Sequence, residues 1–347
     1  MTLVHGGQLQ QVALQYARPI ADWLDLSTGI SPSSYPIPTI PTPVWQQLPQ
    51  PSPSLLNAAK RYYGTTNIVA TSGSQAVIKQ LPTIFKQHVA EQLISEQLIS
   101  EQSTGTSTVW LPLVGYKEHE RAWREQGFTI QQYTQLPTSA QLTAHCIVVV
   151  INPNNPTGEL FSRNMLLALL DNIQTLKGWL ILDEAFMDVV EPSQSIIAHT
   201  DNPHLLVLRS VGKFFGLAGI RLGFLSAHPQ WLQALAQLSS PWEVNGPAQY
   251  ITEIALMDTQ WQQQQLLSLM ALSATLELLL MTTFACPVAG SALFKTIPLD
   301  NAPEVYALLC QQGVYVRLCD EQNALRFGIP DQNGLVKLTK VLQQLAK

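Results

Sequence analysis

Three apolar runs each end in a different reactive or hydrogen-bonding side chain. Cys146–Ile151 runs into Asn152-Pro153-Asn154-Asn155-Pro156-Thr157-Gly158, Trp179–Leu182 into Asp183-Glu184-Ala185-Phe186, and Leu205–Leu208 into Arg209-Ser210-Val211-Gly212-Lys213. Continuous apolar runs are what parallel strands covered on both faces require. An amide, a carboxylate and an amine therefore stand at the carboxyl ends of strands, where open α/β sheets bind ligands. Lys213 is the reactive candidate, set among Val211, Phe214, Phe215 and Leu217. Desolvation lowers an amine's pKa and frees it as a nucleophile or Schiff-base former. Ser210 and Arg221 would flank an anion with a hydroxyl and a bidentate guanidinium. The alternative is an ordinary lysine in a surface loop. Asp183, costly if unpaired at the end of a buried strand, needs a cationic partner, and a structural arginine is the plain choice.

Other strand ends extend the set. Ile68–Thr71 leads through Ser72, Gly73, Ser74 and Gln75 into a helix. The free N–H groups and dipole of that helix would favour an anion by roughly 0.3 to 2 kcal/mol, unless this is a plain turn. The pattern is neither a Walker loop nor a dinucleotide fingerprint. Val109–Leu113 leads to Gly115 and Tyr116, a ring that either stacks on a flat heterocycle or packs in the core. Leu24–Ser27 ends at Thr28-Gly29-Ile30-Ser31-Pro32, where small residues leave N–H groups for an anion or merely form a turn. Alternating strands and helices predict an α/β fold, a doubly wound, mostly parallel sheet with the site along one edge.

The 347 residues suffice for a large and a smaller domain. A net charge of -5 and the lack of any basic run exclude a nucleic-acid surface. Cys146, Cys286, Cys310 and Cys319 are too scattered for a zinc site or disulfide frame, and predict free thiols in a reducing, cytoplasmic setting. No signal peptide is expected. Of seven histidines only His5, in His5-Gly6-Gly7, lies in a motif, and the others read as surface or packing residues. Prolines crowd residues 32–53, predicting an extended surface segment without regular helix, followed by a helix over Leu55–Tyr63 that Gly64 stops. The tandem repeat at 91–102 reads as an expanded helix end, and Leu266–Met281 as part of a long helix packed on a core, not a membrane span.

Asn-Asn-Pro-Thr-Gly, Asp-Glu-Ala-Phe, Ser-x-Gly-Lys and Gly-Leu-Ala-Gly-x-Arg together resemble the fold-type I pyridoxal-phosphate enzymes of the class I/II aminotransferase family. Within it the chain is most similar to the cobalamin-pathway L-threonine-O-3-phosphate decarboxylases. The resemblance implies a large cofactor-binding domain over 45–250, and a smaller α+β domain made of 251–347 with the arm 1–44. It makes Lys213 the Schiff-base lysine, Asp183 the partner of the pyridine nitrogen, Asn155 that of the phenolic oxygen, and Tyr116 the stacking ring. Gly73, Ser74, Gln75, Ser210 and Arg221 would hold the cofactor phosphate. His5, Gly6, Thr28, Gly29, Asn155, Arg317 and Arg326 would hold the substrate, either arginine taking its phosphate or its carboxylate. It also implies a homodimer and no metal.

Phe186, where the aminotransferases commonly have tyrosine, and the string Gly115-Tyr116-Lys117-Glu118-His119 followed by Trp123 favour the decarboxylase branch. The alternative is a histidinol-phosphate or related aminotransferase. Leu48-Pro49 and Ser31-Pro32 depart from the usual tyrosine and asparagine before proline, at a partner-subunit phosphate contact and at the first turn respectively.

Overall fold

The structure, a computed structural model, describes residues 5–95 and 107–345. Helix α1 (Leu9–Gln15) and strand β1 (Leu24–Asp25) form an N-terminal arm, and helices α2 (Thr42–Gln46) and α3 (Pro53–Tyr63) follow. Next come β2 (Ile68–Thr71), α4 (Ser74–Ser95), β3 (Thr108–Pro112), α5 (Lys117–Glu125), β4 (Thr129–Tyr133), β5 (Ile147–Ile151) and α6 (Arg163–Thr175). The strands β6 (Trp179–Asp183), β7 (Leu205–Ser210) and β8 (Gly223–Ala227) precede α7 (Pro229–Leu238), α8 (Gly246–Met257) and the long α9 (Thr259–Phe284). The C-terminal part holds β9 (Ala289–Ser291), β10 (Phe294–Pro298), α10 (Ala302–Gln311), β11 (Val314–Tyr315), β12 (Arg317–Leu318), β13 (Ala324–Gly328) and α11 (Gln332–Leu345).

Seven strands make the main sheet in the order β2-β8-β7-β6-β5-β3-β4. β8 is antiparallel to both its neighbours, and the other pairs are parallel, so six strands point the same way. The apolar runs divide their side chains between two cores, as a period of two demands. Val148, Val150, Leu180, Leu182, Leu205 and Val207 enter the core on one face. Ile147, Val149, Trp179, Ile181, Leu206 and Leu208 enter that on the other. A third core joins Leu26 of the arm to Leu276, Ile297, Phe327 and Leu338. There β1 pairs in parallel with β11, and β9, β10, β12 and β13 form a separate antiparallel sheet.

The proline-rich stretch is not wholly extended. It contains α2, with Pro43 in the first turn, where a missing N–H costs nothing. α3 begins at Pro53 behind its cap Ser52 and ends at Gly64, whose φ of 69° is the left-handed conformation that suits glycine. Of the 91–102 repeat, residues 91–95 are the last turn of α4, and the rest lies outside the described residues. α9 packs Leu269 on the large core and Leu276 and Leu280 on the third. Only one face is covered, and Leu267, Met270, Leu278 and Met281 are exposed on the other. α9 is the one helix among the described residues long and apolar enough to cross a membrane by length and composition.

Candidate active site

Six strands sharing one direction bring their carboxyl ends to one edge. Gly73, Ser74 and Gln75 follow β2, Tyr116 follows β3, Asn155 follows β5, Asp183 ends β6, and Ser210 ends β7 just before the Lys213 loop. Arg221 reaches the same edge because β8 runs the other way, which places its amino end there. All nine residues line one cavity with Phe186. A second cavity adjoins it, lined by His5, Gly6, Thr28, Gly29, Arg317 and Arg326, and shares Tyr116, Asn155, Phe186 and Lys213 with the first. The sequence-derived candidates thus fall into two groups that meet at Lys213.

The Lys213 ammonium lies 5.4 Å from the centre of the Phe186 ring. Burial, aided by Arg326 and opposed by Asp183, pushes its pKa down to about 8. Cofactor-free protein should therefore capture an aldehyde through its neutral amine at a rate that rises about tenfold per pH unit and levels off above about pH 8. Absorbance on mixing with pyridoxal phosphate measures this, and a rise continuing to pH 10 would mean an ordinary, hydrated lysine.

Asp183 is buried, and its partner is a histidine, not the arginine expected. His119 Nε2 lies 2.9 Å from Oδ2, and the Ala185 N–H donates to Oδ1. His119 is 2% exposed on α5, three residues after Tyr116, and its contact with Asp183 gives it a part beyond packing. The available signal was the spacing of three that sets His119 one turn along α5 from its cap, Tyr116.

The nearby arginine serves Glu184 instead. Arg209 Nη1 donates to Glu184 Oε2 at 2.7 Å and Nη2 to Asp188 Oδ1 at 2.5 Å, with the guanidinium 4.5 Å from the centre of the Tyr63 ring. Burial opposes the charge, but Asp188 and Glu184 hold the guanidinium protonated, above its usual range. Arg209→Met would strand two buried carboxylates and is expected to cost about 3–5 kcal/mol of stability, read by urea unfolding.

Asn155 Oδ1 accepts from Arg326 Nη1, which turns the amide N–H₂ away from the arginine. Arg326 Nη2 donates to the Ser27 carbonyl at 2.7 Å, while its buried Nε has no protein partner. Burial lowers the pKa of this guanidinium to about 10, a sign that it lacks a full complement of anions. Arg317 is held by Asp320 at 2.6 Å. The Tyr116 hydroxyl donates to Gln75 Oε1, and burial raises its pKa well above the usual range. Gln75 Nε2 in turn donates to Glu118, so the Gln75 side chain is engaged away from the anion cradle and only its backbone N–H is available to it. The Thr28–Gly29 turn leads to Ser31, whose N–H donates to the Lys213 carbonyl.

The cradle is built around glycine. Gly73 has a φ of 83°, and a Cβ there would sit 3.1 Å from Arg221 Nη2. A Cβ on Gly223 would come within 2.7 Å of the Ser74 nitrogen. This cavity fits pyridoxal phosphate by its donors: an anion cradle at the α4 N-terminus, a carboxylate for a ring nitrogen, an amide for a phenolic oxygen, an aromatic ring, and a low-pKa amine for an aldehyde.

Comparison with known proteins shows the family and the fold. A threonine-phosphate decarboxylase of Pseudomonas aeruginosa is 40% identical over 341 residues, covering 98% of this chain and 97% of that protein. Another, from a Sinorhizobium species, is 33% identical over 354 residues, covering 99% and 98%. The crystal structure of a histidinol-phosphate aminotransferase from Sinorhizobium meliloti in complex with pyridoxal-5'-phosphate has the same fold, with a TM-score of 0.79 at 18% identity, covering 99% of this chain and 96% of that one. The model of the family "Aminotransferase class I and II" matches residues 45–340. On sequence, fold and the chemistry of its cavity, this chain belongs to the aminotransferase class I and II family.

Proposed function

We propose that this chain is a pyridoxal-phosphate-dependent decarboxylase that converts L-threonine O-3-phosphate to (R)-1-aminopropan-2-yl phosphate and carbon dioxide, a step of cobalamin biosynthesis. The observation that carries the choice is the 40% identity, over nearly the whole of both chains, to a threonine-phosphate decarboxylase. The second cavity supports it, because Arg317 and Arg326 offer cations, and His5 a ring, for a substrate bearing both a phosphate and a carboxylate. Phe186, with no hydroxyl to offer the ring oxygen, is consistent with the same branch.

The positions of these residues support the following roles. Bound pyridoxal phosphate would supply the electron sink for the pair released when the bond from Cα to the carboxylate breaks. Asp183, steadied by His119 and the Ala185 N–H, would hold a proton on the pyridine nitrogen. The Ser74 and Gln75 N–H groups, Ser210 and Arg221 would bind the cofactor phosphate beside Gly73, and Tyr116 would cover the ring. Asn155, oriented by Arg326, donates to the phenolic oxygen. Arg317, Arg326 and His5 fix the substrate's anions, with the Gly6 and Thr28–Gly29 segments closing around it. Lys213 gives its proton to Cα once carbon dioxide has left.

The separate third core supports a small unit of 251–347 with the arm 1–44, beside a large unit of 45–250, although Tyr35, Ile251, Ala255, Leu256, Leu269, Leu293 and Phe294 pack in the large core and bridge the two. The exposed Trp45, Leu48 and Trp242 support a homodimer. The four free cysteines accord with a cytoplasmic location. The deciding experiment gives the loaded protein L-threonine O-3-phosphate without a keto acid and follows carbon dioxide. Catalytic release is expected. No release, with turnover of histidinol phosphate once 2-oxoglutarate is added, would overturn the proposal.

A further inference from the structure

One buried carboxylate beside the site has no part in the chemistry above. Glu118 is 6% exposed, and it lines neither cavity. Both of its oxygens nevertheless face groups of the site. His5 Nε2 lies 2.7 Å from Oε1, and Gln75 Nε2 donates to Oε2 at 3.2 Å. Arg121 Nη1 stands 3.9 Å from Oε1 on the outer side. A carboxylate placed to order the core would be expected to bind core donors, and this one binds the arm and the cofactor cavity. Its place in the first turn of α5 also favours its charge, because the positive end of the helix dipole lies there.

The arm that carries His5 is pinned from two sides. On one side Gly6 and Gly7 lie against the end of β1. The Gly7 N–H donates to Ser27 Oγ at 2.8 Å, and a Cβ on Gly6 would fall 2.2 Å from the Ser27 carbonyl oxygen. Ser27 Oγ is itself fixed by Asp25 at 2.6 Å. On the other side stands Glu118, on a helix of the main sheet. His5 therefore spans from the small sheet's side of the pocket to the large sheet's side, and Glu118 is the far anchor.

We propose that Glu118 is a positioning residue that fixes the His5 ring and so latches the N-terminal arm across the substrate pocket. Through Gln75 and the Tyr116 hydroxyl the same carboxylate ties the latched arm to the wall of the cofactor cavity. The effect on substrate rests on the decarboxylase reading, whereas the latch itself does not.

Two readouts test it. Amide hydrogen exchange of the loaded, substrate-free enzyme reports the arm directly. Protection at Gly7 should be lost in Glu118→Ala and in His5→Ala alike, and largely kept in Glu118→Gln, whose amide oxygen still accepts from His5. Steady-state kinetics with L-threonine O-3-phosphate should show KM raised about 10- to 100-fold in Glu118→Ala with kcat within about threefold, the scale of one charged hydrogen bond. In a His5→Ala background, Glu118→Ala should add nothing further. Unchanged arm protection in Glu118→Ala, or a KM effect that adds in full to that of His5→Ala, would overturn the proposal. If the alanine variant does not fold, Glu118→Asp takes its place, since it withdraws the carboxylate by one methylene and should release the arm in the same way. An enzyme that left threonine phosphate untouched would refute the decarboxylase reading, and the exchange measurement would still decide the latch.

Discussion

Lys213→Ala is expected to lower carbon dioxide release by about 10⁴-fold or more, the upper end of what a positioned proton donor contributes, because the same side chain also captures the cofactor. Among the described residues no neighbouring amine can substitute. Lys117 lines the substrate cavity, but it is tied to the Leu113 carbonyl and lies 3.5 Å from Glu321. Lys213→Arg should fail as completely, since a guanidinium stays protonated and cannot act as the nucleophile. Single-turnover release of carbon dioxide is the measurement, together with absorbance to show whether cofactor remains bound. A variant retaining a tenth of wild-type turnover would remove Lys213 from the reaction.

Asp183→Ala should come next in severity, with kcat falling about 10²- to 10⁴-fold, the rate equivalent of breaking a buried charged pair. His5, Arg317 and Arg326, proposed to hold the substrate's anions, line the other cavity, so KM should change little. Asp183 receives its proton-bearing partners on opposite oxygens, His119 on one and the Ala185 N–H on the other, which leaves the carboxylate held in one orientation. Asp183→Asn keeps that shape without the charge. It should lose nearly as much turnover, and recovery to within threefold of wild type would show that only the shape matters.

The strand-end residues were legible because a buried parallel strand writes itself as an unbroken apolar run, and its carboxyl end is where a polar side chain becomes useful. Asn155, Asp183 and Lys213 each follow such a run, and all three line one cavity. The partner of Asp183 was not legible. His119 stands 64 positions earlier, and nothing along the chain says that α5 brings it to the end of β6. The arginine that did sit nearby, Arg209, points to the opposite core, where Glu184 and Asp188 receive it. Glu118 was hidden for the same reason, since its role exists only where the arm folds back over α5. The helix α2 was missed because prolines were counted without regard to position, and Pro43 falls in the first turn, where proline does no harm.

The reversed strand β8 also sets an order in time. β2 stands at the edge of the main sheet with β8 as its only neighbour there, although 151 residues separate the end of the one from the start of the other. The first strand of that sheet to be synthesised must therefore wait for the last before it can join. Gly73, Ser74 and Gln75 follow the first, and Arg221 precedes the last. On the ribosome, these residues, proposed to hold the cofactor phosphate, come together only after the chain has emerged past residue 227, when every other strand of the sheet has already been made.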